Sequence, residues 1–211
     1  MEGRTRIKIC GTTELARARE AVDAGVDALG FIFAAVSPRR VEPETARDII
    51  AALPPFVDAV GVFLNEEAGV IREIAQYCGL TMIQLHGEEE PDFCRAMPLR
   101  VIKAIRVGEQ SGPADLAPFR GCVSAFLLDT YHPKAAGGTG EVFDWHLVSA
   151  LVPPAPVILA GGLTPSNVGN AISQVHPFAV DFNSGLESSP GRKDSLLVRQ
   201  AVEAVHLADH P

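Results

Sequence analysis

Long apolar runs are missing: no stretch approaches the ~18 uncharged apolar residues of a membrane span. Runs of Lys and Arg are missing too, with 18 basic against 26 acidic side chains, a net charge of −8 and a pI near 5.2. Nucleic acid and anionic membranes both demand a cationic footprint, so neither is expected as the main partner. A small anionic substrate stays compatible, because backbone amides build a phosphate site whatever the net charge. The opening MEGRTRIKICG lacks the long apolar segment of a signal peptide, and the expected location is the cytoplasm.

Cysteine is scarce. Cys10, Cys78, Cys94 and Cys122 match no zinc pair, redox pair or dense disulfide framework, and read as four reduced thiols. The six histidines show no metal spacing, so no metal is expected. Neither a Walker loop nor a G-x-S-x-G elbow occurs. Without a linker, low-complexity tract or composition shift, residues 1–211 read as one domain.

What is present is a rhythm. Apolar runs of strand length occupy 6–10, 28–33, 58–63, 81–85, 100–105, 125–129, 156–160 and 178–182. Most are almost continuously hydrophobic, as a strand buried on both faces requires. Helical periodicity fills 13–24, 44–53, 66–78, 89–97, 114–119, 144–151, 165–175 and 194–207, the fifth being the weakest. Thr12 or Thr13 is placed to cap the first helix, Pro43 opens the second, and Pro165 follows Thr164 at the start of the seventh. Eight strand–helix units of about 26 residues predict a single-domain α/β fold, a closed (β/α)8 TIM barrel of minimal size. The first run is followed by Cys10-Gly11-Thr12-Thr13, not by the G-x-G-x-x-G of an open nucleotide-binding sheet.

Function in such a barrel resides where strands end. Those ends carry Lys8, Cys10, Arg39, Arg40, Asn65, His86, Lys103, Asp129, Gly161, Gly162, Asp181, Asn183, Ser184 and Gly185. Any one glycine pair is ordinarily a turn. Gly161-Gly162 after the seventh strand together with Asn183-Ser184-Gly185 after the eighth point to a phosphate clamp on the last two loops. Cys10 and Asp129 end strands one and six, which flank those loops around the ring, so a thiol and a carboxyl would stand on either side of an anchored ligand. Taken singly, the cysteine reads as packing and the aspartate as a loop cap. Lys8 lies about 7 Å from Cys10 along the strand. It either favours a thiolate, which iodoacetamide would then label preferentially, or pairs with Asp181 or another inward acid. Arg39 is suited to a ligand carboxylate, though Arg40 would serve equally and loop arginines are often merely solvated. His86 is either a ligand contact or a turn cap. Cys10 and Asp129 are thus the expected catalytic pair. The expected substrate contacts are Lys8, Arg39, His86, Gly161, Gly162, Asp181, Asn183, Ser184 and Gly185.

Seven blocks resemble the phosphoribosylanthranilate isomerase family of tryptophan biosynthesis, in register from residue 8 to 194. They are Lys8-Ile9-Cys10-Gly11-Thr12; Gly30-Phe31-Ile32-Phe33 with Ser37-Pro38-Arg39; Val60-Gly61-Val62-Phe63; Gln84-Leu85-His86-Gly87; Leu128-Asp129 with Gly137-Gly138-Thr139-Gly140 and Phe143-Asp144-Trp145; Leu159-Ala160-Gly161-Gly162-Leu163 with Pro165, Asn167 and Val168; and Ser184-Gly185-Leu186-Glu187 with Gly191-Arg192-Lys193-Asp194. The resemblance implies a cofactor-free Amadori rearrangement of a phosphosugar–anthranilate substrate by a monomer or homodimer. It implies Asp129 as general acid at the furanose ring oxygen and Cys10 as the base at C2′. It also implies Arg39 on the anthranilate carboxylate, and backbone around Gly161, Gly162, Ser184 and Gly185 on the phosphate. Phe182 and Asn183 depart from the small aliphatic residue and serine that the family commonly shows, and Tyr131-His132 is locally bulky.

Three other readings share the scaffold. The histidine-pathway isomerase carries Asp where Cys10 stands. Indole-glycerol-phosphate synthase, a lyase, needs a Lys/Glu set that is not found. A non-catalytic phosphate-binding subunit would have no use for both Cys10 and Asp129.

Overall fold

A computed structural model describes residues 4–108, 110–129, 145–149 and 151–210. The apolar runs form eight strands: β1 (Arg6–Cys10), β2 (Ala28–Ile32), β3 (Asp58–Phe63), β4 (Met82–Leu85), β5 (Arg100–Arg106), β6 (Ala125–Asp129), β7 (Val157–Ala160) and β8 (Ala179–Phe182). Each pairs in parallel with the next, and β8 returns to β1 through Arg6↔Ala179 to Ile9↔Phe182, closing the barrel. Between them run α1 (Leu15–Asp23), α2 (Pro43–Ala51), α3 (Ala68–Cys78), α4 (Pro91–Arg95), α5 (Pro113–Leu116), α6 (His146–Ser149) and α7 (Val168–Val175), with α8 (Ser195–Asp209) last.

Side-chain alternation splits each strand into two environments. Outward residues such as Ile7, Ile9, Leu29, Phe31, Phe126, Leu128, Leu159 and Val180 pack beneath the helices in the main core. Inward residues are smaller: Val60, Ile102, Ala104, Ala125, Leu127, Ile158, Ala160 and Ala179 fill the barrel, and Cys10, Ile32 and Val62 form a cluster nearer the strands' C-terminal ends. This is why the strands read as continuously hydrophobic, since both faces are covered.

Several boundaries move. Thr12 and Thr13 do not cap α1, whose N-cap is Glu14; Thr13 Oγ1 instead donates to Gly191 O at 2.7 Å. Pro165 does not open α7, because Thr164 to Asn167 form a turn and the helix starts at Val168. Asn167 Oδ1 accepts from Thr164 N at 2.8 Å and its Nδ2 donates to Gly162 O at 3.0 Å, tying that turn to the glycine loop. The weak fifth helix is four residues followed by the 3-10 turn Ala117–Phe119. Beyond β8 the sequence shows no strand pattern, yet the chain makes a 3-10 turn (Ser184–Leu186) and a two-stranded hairpin, β9 (Glu187–Ser189) with β10 (Arg192–Lys193). Tyr131, His132, the glycine-rich 137–140 segment, Phe143 and Asp144 lie outside the described residues.

Candidate active site

Parallel closure sends every strand's C-terminus to one rim. A cavity of about 390 Å³ opens there, within the range of small-molecule sites. Cys10 from β1 and Asp129 from β6 both line it, separated around the ring by β7 and β8, and Gly161, Gly162, Asn183, Ser184 and Gly185 line the arc between them. Arg39, His86 and Asp181 also face it. Of the expected site residues only Lys8 does not.

Lys8 sits deeper. Its Nζ donates to Asp181 Oδ2 at 2.7 Å across the β1–β8 register, with both side chains almost wholly buried. Burial works against the ammonium, but Asp181 and Cys10 outweigh it and hold Lys8 above the ordinary lysine value. Gly30 on β2 makes room for this arrangement, since a Cβ there would lie 2.8 Å from Cys10 Sγ and 3.1 Å from Lys8 Nζ. Burial pushes the Cys10 thiol up, and the opposing pull of Lys8 does not prevail. Of the two readings of Lys8, the structure shows the pairing with Asp181, and burial shifts Cys10 toward the thiol.

The glycine loops take their shape from positions without side chains. Gly161 and Gly162 take φ of +94° and +64°, a region that L side chains rarely adopt. A Cβ on Gly185 would meet Leu163 O at 2.0 Å, so the loops after β7 and β8 touch only because that position has no side chain. Asn183 Oδ1 and its carbonyl oxygen accept from Lys193 Nζ at 3.0 and 3.1 Å. Phe182, the other departure, points outward and is fully buried in the helix layer.

Arg39 is held by an acid. Its Nε and Nη2 donate to the Glu187 carboxylate at 2.8–3.0 Å, and Lys193 Nζ reaches the same carboxylate at 2.7 Å. Burial works to raise Glu187, yet the hydrogen bonds from Arg39 and Lys193 prevail and hold it below the usual carboxylate range. His86 Nε2 lies 2.5 Å from the Gln84 amide, and burial with the positive charges of Lys8 and Lys103 lowers the ring to about 4, so it faces the cavity neutral.

Lys103, considered as a strand end, is mid-strand and points outward, where its Nζ meets Glu89 Oε2 at 2.8 Å and Gly87 O at 2.5 Å beneath the loop after β4. β5 runs on to Arg106, which lines the cavity in register with Asp129. Sequence reasoning stopped that strand at 105 and overlooked Arg106. Counting by twos from Ile102 and Ala104 would have found it. Glu187 and Lys193, which the family motif contains, carry no chemical signal in the sequence that would assign them a role. Among the described residues no group of three or more His, Cys, Asp or Glu is placed to hold a metal ion, and no helix is long and apolar enough to cross a membrane.

Comparison with known proteins agrees along the chain. Residues 7–204 match the family model described as N-(5'phosphoribosyl)anthranilate (PRA) isomerase. The N-(5'-phosphoribosyl)anthranilate isomerase of Pelobacter propionicus is 49% identical over 197 residues, 93% of each chain. The crystal structure of phosphoribosyl anthranilate isomerase from Thermotoga maritima superposes with a TM-score of 0.86 at 42% identity, covering 96% of this chain and 98% of that one. A phosphoribosyl anthranilate isomerase in complex with reduced 1-(o-carboxyphenylamino)-1-deoxyribulose 5-phosphate gives a TM-score of 0.84 at 40% identity, with coverage of 96% and 98%. The chain belongs to the N-(5′-phosphoribosyl)anthranilate isomerase family.

Proposed function

We propose that this chain catalyses the Amadori rearrangement of N-(5-phosphoribosyl)anthranilate to 1-(2-carboxyphenylamino)-1-deoxyribulose 5-phosphate, a step of tryptophan biosynthesis. The observation that carries the reading is the single cavity with Cys10 and Asp129 in its wall on either side of the Gly161-Gly162 and Ser184-Gly185 loops. The phosphate binds the backbone of those loops and fixes the ribose between acid and base. Asp129 gives its proton to the furanose ring oxygen; the C1′–O bond breaks and the anthranilate nitrogen's lone pair forms the iminium. Cys10, having released its thiol proton to solvent, takes the proton from C2′ as the thiolate, the electron pair moves to close the enamine, and the enol that results tautomerises to the ketone. The iminium's positive charge beside Sγ favours the thiolate that burial disfavours in the empty site. Once the iminium has acidified C2′, its deprotonation needs no exceptionally strong base. Arg39 holds the anthranilate carboxylate. The partner is this small phosphosugar, met in the cytoplasm by a monomer or homodimer, with no nucleic acid or membrane involved.

The test is the loss of fluorescence of phosphoribosylanthranilate generated in situ, in the presence of the purified chain. Turnover supports the assignment. Failure to consume this substrate, with consumption of the histidine-pathway aminoaldose instead, would reassign it.

A further inference from the structure

Arg39 is not a free cation waiting for a ligand. One edge of its guanidinium, Nε and Nη2, is spent on Glu187, and only Nη1 is left without a protein partner among the described residues. Glu187 in turn is shared: its Oε1 accepts from Lys193 Nζ at 2.7 Å and from Gly191 N at 3.3 Å. Glu187 and Lys193 are 4% exposed, whereas Arg39 is 19% exposed, so the acid and the lysine form the buried base of a cluster whose arginine alone faces the cavity.

The β9–β10 hairpin produces this arrangement by register. Glu187 and Lys193 are cross-strand partners, so their side chains emerge on one face. The hairpin follows directly on the Ser184–Leu186 turn, and Lys193 also grips Asn183 by its side chain and its carbonyl. Gly11 leaves the space in which the parts meet: a Cβ there would lie 2.9 Å from Arg39 Cδ and 3.1 Å from Asn183 Oδ1.

Charge decides what the cluster does. Arg39 with Glu187 alone would be neutral and hold no net attraction for an anion; adding Lys193 leaves one positive charge, and Nη1 is the guanidinium nitrogen that Glu187 does not engage. An arginine on a loop otherwise samples many rotamers, and a buried bidentate carboxylate removes that freedom before the ligand arrives.

We propose that Glu187 and Lys193 are positioning residues of the carboxylate subsite: Glu187 fixes Arg39 with its Nη1 edge toward the anthranilate carboxylate, and Lys193 keeps the cluster positive while tying it to the phosphate loop. This rests on the isomerase reading and deepens it.

The test compares two ligands, reduced 1-(2-carboxyphenylamino)-1-deoxyribulose 5-phosphate and its N-phenyl counterpart lacking the carboxylate, by calorimetry on the wild type, Glu187→Gln, Arg39→Ala and the double variant. Glu187→Gln is expected to weaken the carboxylate-bearing ligand about 10- to 100-fold, the size of one charge-assisted hydrogen bond. It is expected to leave the N-phenyl ligand within about threefold and to raise KM far more than it lowers kcat. In the Arg39→Ala background it should cost the carboxylate-bearing ligand nothing further. Equal weakening of both ligands, or an additive loss beyond Arg39→Ala, would mean that Glu187 merely holds the hairpin and would overturn the proposal. Should the single variant not fold, Glu187→Gln with Lys193→Gln removes both buried charges; the ratio of the two affinities, from which any loss at the phosphate cancels, must still collapse toward one. A wild type that binds neither ligand would instead overturn the isomerase reading, a separate outcome.

Discussion

Lys8 Nζ and Asp181 Oδ2 lie 2.7 Å apart at the floor of the cavity, on neighbouring strands in direct register. The pair bears on the state of Cys10, two residues along β1, in opposite directions. Desolvation is the largest influence on the sulfur and raises it; Lys8 pulls it down, and Asp181 opposes that pull. Sequence alone left the ammonium's role open between these two outcomes, because the deciding acid is 173 residues away and its inward direction depends on barrel closure.

Alkylation reads this balance. Cys10 in the free protein is expected to react with iodoacetamide more slowly than free cysteine at pH 7, and to speed up about tenfold per pH unit as the thiol titrates. Cys94, pushed up to about 11 by burial, gives no competing fast site. Asp181→Asn removes a charge that raises the Cys10 pKa and frees Lys8 to lower it, so alkylation at fixed pH should accelerate; Lys8→Met should slow it. Rapid labelling of wild-type Cys10 at neutrality, measured by peptide mass analysis, would contradict the assignment.

The architecture was legible because each strand is written twice, once as an apolar run and once by the helical pattern that must follow it. The strand-end logic then located Cys10, Asp129 and both glycine loops without any coordinates. What stayed hidden depends on pairing across the ring. Arg39 reads either as a ligand contact or as a solvated loop cation; its partner Glu187 stays hidden because the β9–β10 hairpin that brings it near is too short to show a strand pattern. Lys103 reads as a strand end until the pleat turns it outward onto Glu89. Thr12 and Thr13 satisfy every local rule for a cap, yet Thr13 is drawn away by the Gly191 carbonyl, a contact no local rule contains.

Stability against acid should show His86. Its ring is lowered to about 4, below the ordinary 6.5, so the unfolded chain takes up a proton near pH 6.5 that the folded chain refuses. This contribution is present in full above pH 6.5 and is lost as pH falls toward 4. A fully shielded ring would lose about 3 kcal/mol, and partial exposure in the cavity wall reduces the expectation to about 1–2 kcal/mol. Urea unfolding of the wild type and His86→Asn across that window should diverge by this amount, with the variant less pH-dependent; parallel curves would remove His86 from the account.

Gly185→Ala tests the contact between the two phosphate loops. The new methyl would stand 2.0 Å from Leu163 O, and that oxygen belongs to backbone, so the loops themselves must part. Overpacking of this kind costs about 1–3 kcal/mol. The displacement falls on the amides expected to bind phosphate, so KM and the inhibition constant for inorganic phosphate should both rise about tenfold or more while the fold persists. An unchanged phosphate constant would place phosphate recognition elsewhere on the rim.

The acid–base assignment makes its strongest demand on the two strand ends themselves. Cys10→Ala and Asp129→Asn each remove one proton-transfer group from the cavity wall, and each is expected to lower kcat by about 10²- to 10⁴-fold. Neither should unfold the protein: the alanine deletes a single sulfur from the small inner cluster with Ile32 and Val62, and the asparagine keeps the size and shape of the aspartate side chain. Binding of the reduced product analogue should survive in both, since phosphate and carboxylate contacts lie on other loops. The double variant should be scarcely slower than the worse single one, because ring opening and C2′ deprotonation are successive and the slower step limits the whole. Near wild-type turnover in either single variant, with thermal unfolding unchanged, would show that a different group performs that proton transfer.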